Sequence, residues 1–483
     1  MFKLILYKEL REIINSTKFT VTFGICSILI ILAFFTGAKI YQSGVQEYEA
    51  SKAANLRQFE SVTDWEGISG HRVFLPPEPL AALVMGISND LGRAAGIDGS
   101  STPIARDSNY SEQPVFAVFR FLDLEFVFQI ILSLFAILFA YDAINGEKER
   151  GTLSLSFANA LPRAHYILGK LIGSFLALAL PLLVPIFIGI LLLPLMGITL
   201  SNDEWVRLGL FIVSGLLYLG VFLTLSVFVS CLTQRSSSAF LFLLVIWVFS
   251  VLIVPRASVL IAGNMVEVPS LEEINYKQTQ LMRQNFKEMD ERVFGFIRTM
   301  ERPEPGKNDP ALMEKNQKKI NELLQEILDE NNKKVENLTN RLLEERRNIQ
   351  EQQEKLAFGI SRISPTAVFT LAGTTLCGTS LNLKNHFQQQ AVAYTQSFAE
   401  FMRQKTGRNM SGGPRIMIRL TRPQEETEQP QPINPREIPE FLYQPPELSS
   451  SLRDALPDMA ILMIFNLIFF SGAFLSFLRY DLR

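Results

Sequence analysis

A helix needs roughly 20 mostly apolar residues to cross a bilayer, and six stretches of this chain meet that demand. They cover 19–39, which opens "FTVTFGICSILIILAFFTGA", then 123–142, 169–197, 207–231, 238–261 and 457–478. Where no water is present, backbone N–H and C=O groups can only bond one another, so such runs become helices. The pattern predicts an all-α polytopic membrane protein with six transmembrane helices. Pro181, Pro185 and Pro194 fall inside the third run. They would break a soluble helix, but in a bundle neighbouring helices can satisfy the freed carbonyls. The first run ends at Lys39, carries no A-x-A-like site and is too long for a cleaved signal.

Basic residues flanking short loops give the expected orientation. Lys3, Lys8, Arg11 and Lys18 precede the first run, Lys148, Arg150 and Arg163 lie between the second and third, and Arg235 lies between the fourth and fifth. Arg479 and Arg483 form part of the tail at 479–483. With six alternating spans these places share one side, read as cytoplasmic. The turn "ITLSNDEW" on the other side has two acids and no base. Residues 40–122 and 263–456 are then extracytoplasmic, and the segment at 143–168 is cytoplasmic. Ahead of the first span, 1–18 places Leu6, Leu10, Ile13 and Ile14 on one helical face, with Lys3, Lys8, Glu9, Arg11 and Glu12 mostly elsewhere. That suits a helix lying in the membrane interface.

The 263–456 segment is expected to be mostly helical. Helix-forming stretches at 271–298 and 311–357 are separated by the breaker "RPEPGKNDP". Leu328, Val335, Leu342, Ile349 and Leu356 recur every seven residues, but Asn331, Glu345 and Gln352 spoil the second seam position. A hairpin of antiparallel helices with solvated faces, "LLEERRN" among them, fits better than an independent coiled coil. Residues 421–447 are rich in proline and read as an extended strap leading to the last span. In the first outer segment, "VFLPPEPLAALVMGISNDLG" suggests paired prolines before a mildly amphipathic helix or a packed loop.

Much chemistry is missing. The net charge of −2 points to no nucleic acid. Cys26, Cys231 and Cys377, like His71, His165 and His386, are scattered and suggest neither a disulfide framework nor a metal site. There is no G-x-x-x-x-G-K-[ST], H-E-x-x-H or G-x-S-x-G. The chain therefore has no nucleotide-binding loop of its own, and no residue is nominated as catalytic, cofactor-binding or metal-binding. Asp123, Glu125 and Asp142 stand at span ends, which favours interface or loop roles over a proton path.

The segment "YDAINGEKERGTLSLSFANALPRAHYILGKLIG" carries the most information. Glu147, Glu149, Arg150, Gly151, Thr152 and Leu153, then Pro162-Arg163, then Gly169-Lys170, resemble the segment between the second and third spans of type-2 ABC transporter permeases. In that family it forms a short coupling helix that sits in a groove of a separate ATPase. The resemblance implies that Glu147, Lys148, Glu149, Arg150, Gly151, Thr152 and Leu153 contact that subunit. Ser364-Pro365, Ala372-Gly373-Thr374, His386-Phe387, Tyr394, "PPEPLA" and the terminal Arg479-Tyr480-Asp481 with Arg483 resemble a subgroup with a large extracytoplasmic domain before the last span.

The same resemblance implies a permease subunit in a bacterial inner membrane, paired with an identical or homologous second permease and two copies of a cytoplasmic ATPase. ATP and magnesium would sit on that ATPase, with no cofactor in this chain. Export of a substrate is the leading expectation. A mechanical action on an extracytoplasmic partner protein, or a membrane-anchored assembly role without an ATPase, are the alternatives.

Overall fold

The computed structural model describes residues 2–68, 70–88, 92–97, 105–106, 123–153, 157, 162–300, 310–406 and 433–479. Residues 421–432 of the Pro-rich stretch, most of the "RPEPGKNDP" breaker, and Tyr480, Asp481 and Arg483 lie outside them.

The six apolar runs are six helices long and apolar enough to cross a membrane. After a short α1 (Phe2–Ile14), α2 spans Thr17–Arg57 and is capped by Ser16, whose hydroxyl accepts from the Phe19 amide at 3.1 Å. The second span, α3, runs through Leu124–Phe126, a π-helical Val127–Leu132 and Ser133–Ala140, and a one-turn α4 (Asn145–Glu149) follows it. Then come α5 (Arg163–Leu195), α6 (Asn202–Leu232) and α7 (Ser236–Met265, with a π-helical turn at Val248–Ile253). The hairpin consists of α8 (Leu271–Arg298) and α9 (Pro310–Ser361). Helices α10 (Pro365–Leu376), α11 (Asn382–Thr406) and α12 (Leu448–Leu478), the last span, complete the chain.

The bundle core is aromatic. Phe369 of α10 stacks on Tyr218 of α6 at 4.9 Å and meets Phe128 of α3 and Phe211 of α6 at 5.8 and 5.7 Å. Helix α10 is a buried wedge, too short to span, started by Ser364 accepting from the Thr366 and Ala367 amides. Asp123 and Glu125 are buried rather than lying at an open interface. Asp123 caps α3 by accepting from the Phe126 and Met85 amides at 2.9 Å, and Glu125 accepts from Gln129.

The hairpin is antiparallel. Gln278 meets Thr339 and Arg292 meets Glu330, so numbers rise on one helix as they fall on the other. Arg346, expected on a solvated face, is buried and donates to the Pro269 carbonyl at 2.8 Å, fixing the hairpin to its root. Beneath it a second core gathers Phe59, Val73, Leu75, Phe387, Tyr394 and Phe398. A small antiparallel sheet, β1 (His71–Phe74), β2 (Ala94–Ile97) and β3 (Ala105–Arg106), borders that core in the order β1-β2-β3. Among the described residues no amphipathic helix follows the paired prolines; the chain makes one 3-10 turn at Pro79–Ala82 and continues to Ser88 as a packed loop. The reason lies in two close approaches. A Cβ on Gly37 of α2 would stand 1.7 Å from the Ala82 carbonyl oxygen, and Gly86, at φ +49°, lies against Thr379.

Candidate functional site

One end of the bundle gathers α1, the start of α2, the turn 141–144, α4, the α6–α7 junction and the last residues of α12. Among the described residues, no group of His, Cys, Asp and Glu there or elsewhere could hold a metal ion. The site is instead a junction of charges around α4.

The turn into α4 is fixed by Ser230, whose hydroxyl accepts from the Ile144 and Asn145 amides at 3.1 Å and donates to the Asn145 side chain at 2.8 Å. Asn145 also donates to Thr233 at 2.9 Å. The next three charges then reach three different places. Lys148 donates to the Cys231 carbonyl at 2.9 Å, at the C-terminus of α6, where a cation complements unpaired carbonyls and the helix dipole. Glu149 accepts from the amide and hydroxyl of Ser236, both at 2.9 Å, at the N-terminus of α7, where an anion is favoured. Alternating charges on α4 thus match the opposite poles of two successive spans.

Glu147 turns inward instead. Its carboxylate lies 3.0 Å from the Lys170 ammonium, accepts from the Tyr166 hydroxyl and sits 3.4 Å from Lys8. Lys170 in turn lies 2.9 Å from Glu9 of α1, which also accepts from Ser174 at 3.4 Å. Glu9, Glu147 and Lys170 are all buried, so Lys170 stands between two carboxylates from different parts of the chain. Burial pushes the Glu9 carboxyl above its ordinary range, with the Lys170 charge pulling the other way.

Two glycines let α1 come close enough for this. A Cβ on Gly169 would be 2.8 Å from the Ile5 side chain, and one on Gly173 would be 2.9 Å from the Glu9 Cβ. The sequence "GKLIG" thus forms a groove one turn long with Lys170 inside it. Glu9, expected mostly off the apolar wheel face, is in fact on the buried face with Ile13. The available signal was its position three residues after Leu6 and four before Ile13, an acid on an apolar stripe that requires a cation.

Beyond α4 the chain reverses at Gly151, whose φ of +69° is disfavoured for other residues. Arg150 lies 3.9 Å from Glu12, and Leu153 is buried. Phe157 meets Tyr166 of α5 at 5.2 Å and Phe477 of α12 at 5.8 Å, while Arg163 donates to the Leu478 carbonyl at 2.5 Å. At the other edge Lys18 of α2 donates to the Tyr141 hydroxyl at 3.2 Å and lies 3.9 Å from Asp142. Residues 141–149 together with Phe157 therefore contact α1 and the other five spans directly.

Of the residues singled out from sequence, Glu149, Arg150, Gly151 and Thr152 are exposed, Lys148 is half-buried, and Glu147 and Leu153 face inward. Ser230, Thr233, Ser236, Glu9 and Glu12 complete the junction and were not among them.

The model of the ABC-2 family transporter proteins matches residues 4–482 of the chain. Two curated relatives bear the description "probable ABC transporter permease protein NosY". The one from Stutzerimonas stutzeri is 37% identical over 125 residues, and the one from Pseudomonas aeruginosa is 37% identical over 126. Each match covers 26% of this chain and 45% of the relative, so it spans less than half the length of the relatives.

Proposed function

Because the chain belongs to the ABC-2 family of transporter proteins, we propose that it is the membrane subunit of an ATP-driven exporter whose ATPase is a separate chain docking around Glu149–Thr152. Both ends of the chain face the cytoplasm of a bacterium, the hairpin domain lies outside the inner membrane, and a second permease with two ATPase copies completes the complex. A small molecule, a peptide or a lipid-linked compound would be exported.

The observation that supports this reading is the convergence on residues 141–149 and Phe157 of contacts to every other span. A force applied to the exposed tip at Arg150–Thr152 would reach α6 and α7 through Lys148 and Glu149. It would reach α1 and α5 through Glu147, and α12 through Phe157. The inward residues hold the segment, and the exposed ones receive the partner.

The test is co-expression with an ABC ATPase from the same genome and measurement of co-purification and ATP hydrolysis. Arg150→Glu and Thr152→Trp alter the exposed tip while sparing the contacts of the Glu147 carboxylate, although Thr152→Trp also removes a long hydrogen bond to the Glu147 carbonyl at 3.4 Å. Both variants should enter the membrane normally and lose ATPase capture and stimulation. Wild-type capture and stimulation in both would remove the docking role.

A second reading, mechanical action on an extracytoplasmic partner, is favoured by the length of α9. Its 52 residues extend about 78 Å at 1.5 Å per residue. Arg362, just past its end, binds Asp458 of α12 at 2.6 and 3.2 Å, which joins the hairpin to the last span.

A further inference from the structure

A cavity of about 690 Å³ opens where the root of the hairpin meets the start of the last span. Its walls come from the end of α9, from α10 and α11, and from the first turns of α12. Ser450, Arg453 and Asp454 precede the last apolar run at 457–478 and Pro457 and Asp458 open it, so the cavity sits at the boundary between bilayer and water. Phe358, Leu371 and Leu381 give it an apolar side.

The polar side is rich in acceptors. Glu351 and Glu354 lie one turn apart on the same face of α9, and Asp454 faces the cavity from α12 with a single long hydrogen bond from Asn382 at 3.4 Å. Glu354 has no hydrogen-bond or ion-pair partner among the described residues. Pro457, in the interior of α12, has no N–H to donate to the Arg453 carbonyl. Asp458 is satisfied by Arg362. The basic groups in the wall are Lys355 and Arg453, both exposed, and Arg362, which is paired with Asp458; half-buried Lys384 lies near Glu354, and His386 is occupied by the Gln444 carbonyl at 2.9 Å. A half-buried carboxylate without a partner is unfavourable, and a donor-rich cation would relieve it. Burial accordingly pushes the Glu354 carboxyl up to about 7, Lys384 pulling against it and Glu351 adding to it.

We propose that this cavity binds the ammonium group of an amphiphilic amine, held among Glu351, Glu354 and Asp454, with its apolar body against Phe358, Leu371 and Leu381. Two sources carry that chemistry: the ethanolamine headgroup of an outer-leaflet phospholipid, and a soluble alkylamine. Amine binding here is separate from ATPase docking and does not depend on it. The helix that forms one cavity wall ends, at Phe477, on the segment proposed to receive the ATPase, about 35 Å away at 1.5 Å per residue.

The experiment uses the full chain in nanodiscs without nucleotide, so its outcome is independent of any ATPase. In one arm, phosphatidylethanolamine is titrated into phosphatidylglycerol discs and the retained lipid is counted by native mass spectrometry. In the other, octylamine is added to pure phosphatidylglycerol discs and the melting midpoint is followed. Glu354→Gln is compared in both. It keeps the side-chain volume and removes a carboxylate that makes no hydrogen bond or ion pair, only a longer-range attraction to Lys384, so the variant should fold and stay close to wild type in its melting midpoint above neutral pH. Selective retention of phosphatidylethanolamine, weakened roughly tenfold by Glu354→Gln, assigns the site to the headgroup. An octylamine-dependent rise in the midpoint, lost in Glu354→Gln, without selective lipid retention, assigns it to a soluble amine. Equal retention of both lipids together with no octylamine response, or responses unchanged in Glu354→Gln, would overturn the proposal.

Discussion

The Lys170 ammonium lies 2.9 Å from the Glu9 carboxylate and fastens the first helix of the chain to the third span. On its other side it is 3.0 Å from Glu147, so one cation balances two carboxylates inside the protein. A buried ion pair adds little net stability over an apolar replacement, but removing one partner leaves an uncompensated charge. The junction is therefore intolerant of single changes.

Lys170→Met should lower stability by about 3–5 kcal/mol, read as a fall in the melting midpoint of the detergent-purified chain. The triple variant Glu9→Gln, Glu147→Gln, Lys170→Met should recover most of that loss. Additive losses in the triple variant would show that the three residues do not act as one group.

Gly173→Leu should displace α1 from α5, because even a Cβ at this position would lie 2.9 Å from the Glu9 Cβ. Overpacking of this kind costs about 1–3 kcal/mol. Limited proteolysis should cut near Lys8 in the variant and spare wild type.

Tyr394→Phe should loosen the chain around Pro439. The Tyr394 hydroxyl donates to the Pro439 carbonyl at 2.6 Å and must then accept from His71 Nε2 at 2.9 Å, which leaves His71 Nδ1 to accept from Asn55 at 3.2 Å. Deleting the hydroxyl breaks two of these bonds, for about 1–3 kcal/mol. Faster hydrogen exchange at 438–443 would register it.

Stability should rise as pH falls through about 7. Burial raises the Glu78 and Glu354 carboxyls to about 7, aided by Glu204 and Glu351 respectively, against an ordinary value of 4.5. Between those limits the folded chain binds more protons than the unfolded one, so their contribution is greatest when protonated and is lost as pH rises through 7. His71 acts in the opposite sense below its ordinary value of 6.5, because burial lowers it to about 4 and its stabilising neutral form is lost as pH falls. Thermal melts from about pH 8 to pH 6.5 should show a rising midpoint. Glu78→Gln and Glu354→Gln together should flatten it.

The spans were legible because the bilayer excludes water and leaves apolar sequence one solution. Hydropathy could not give the points where the helices stop. Helix α2 continues to Arg57, well past the end of its apolar run, because "YQSGVQEYEASKAANLR" contains no proline and only one glycine, Gly44. The hairpin was readable from its seven-residue spacing and the intervening breaker. Helix α10 was visible only as a motif, since twelve residues are too few to signal a span and its burial depends on Phe128, Phe211 and Tyr218 from elsewhere. At the junction, the sequence singled out residues 147–153 but not the direction each charge takes in the fold. The partners of Glu147, Lys148 and Glu149 are distant in sequence, and charge alone does not tell an outward residue from one that closes a helix end.

The unbroken length of α2 also has a kinematic consequence. One end touches Tyr141 through Lys18, and the other touches His71 through Asn55. Its 41 residues form a rod about 60 Å long, so a tilt of only about 5° pivoting at Lys18 would swing the distant tip by about 5 Å. A small angular error at one membrane face thus becomes a displacement larger than a hydrogen bond at the other, and the chain has its own lever for magnifying it.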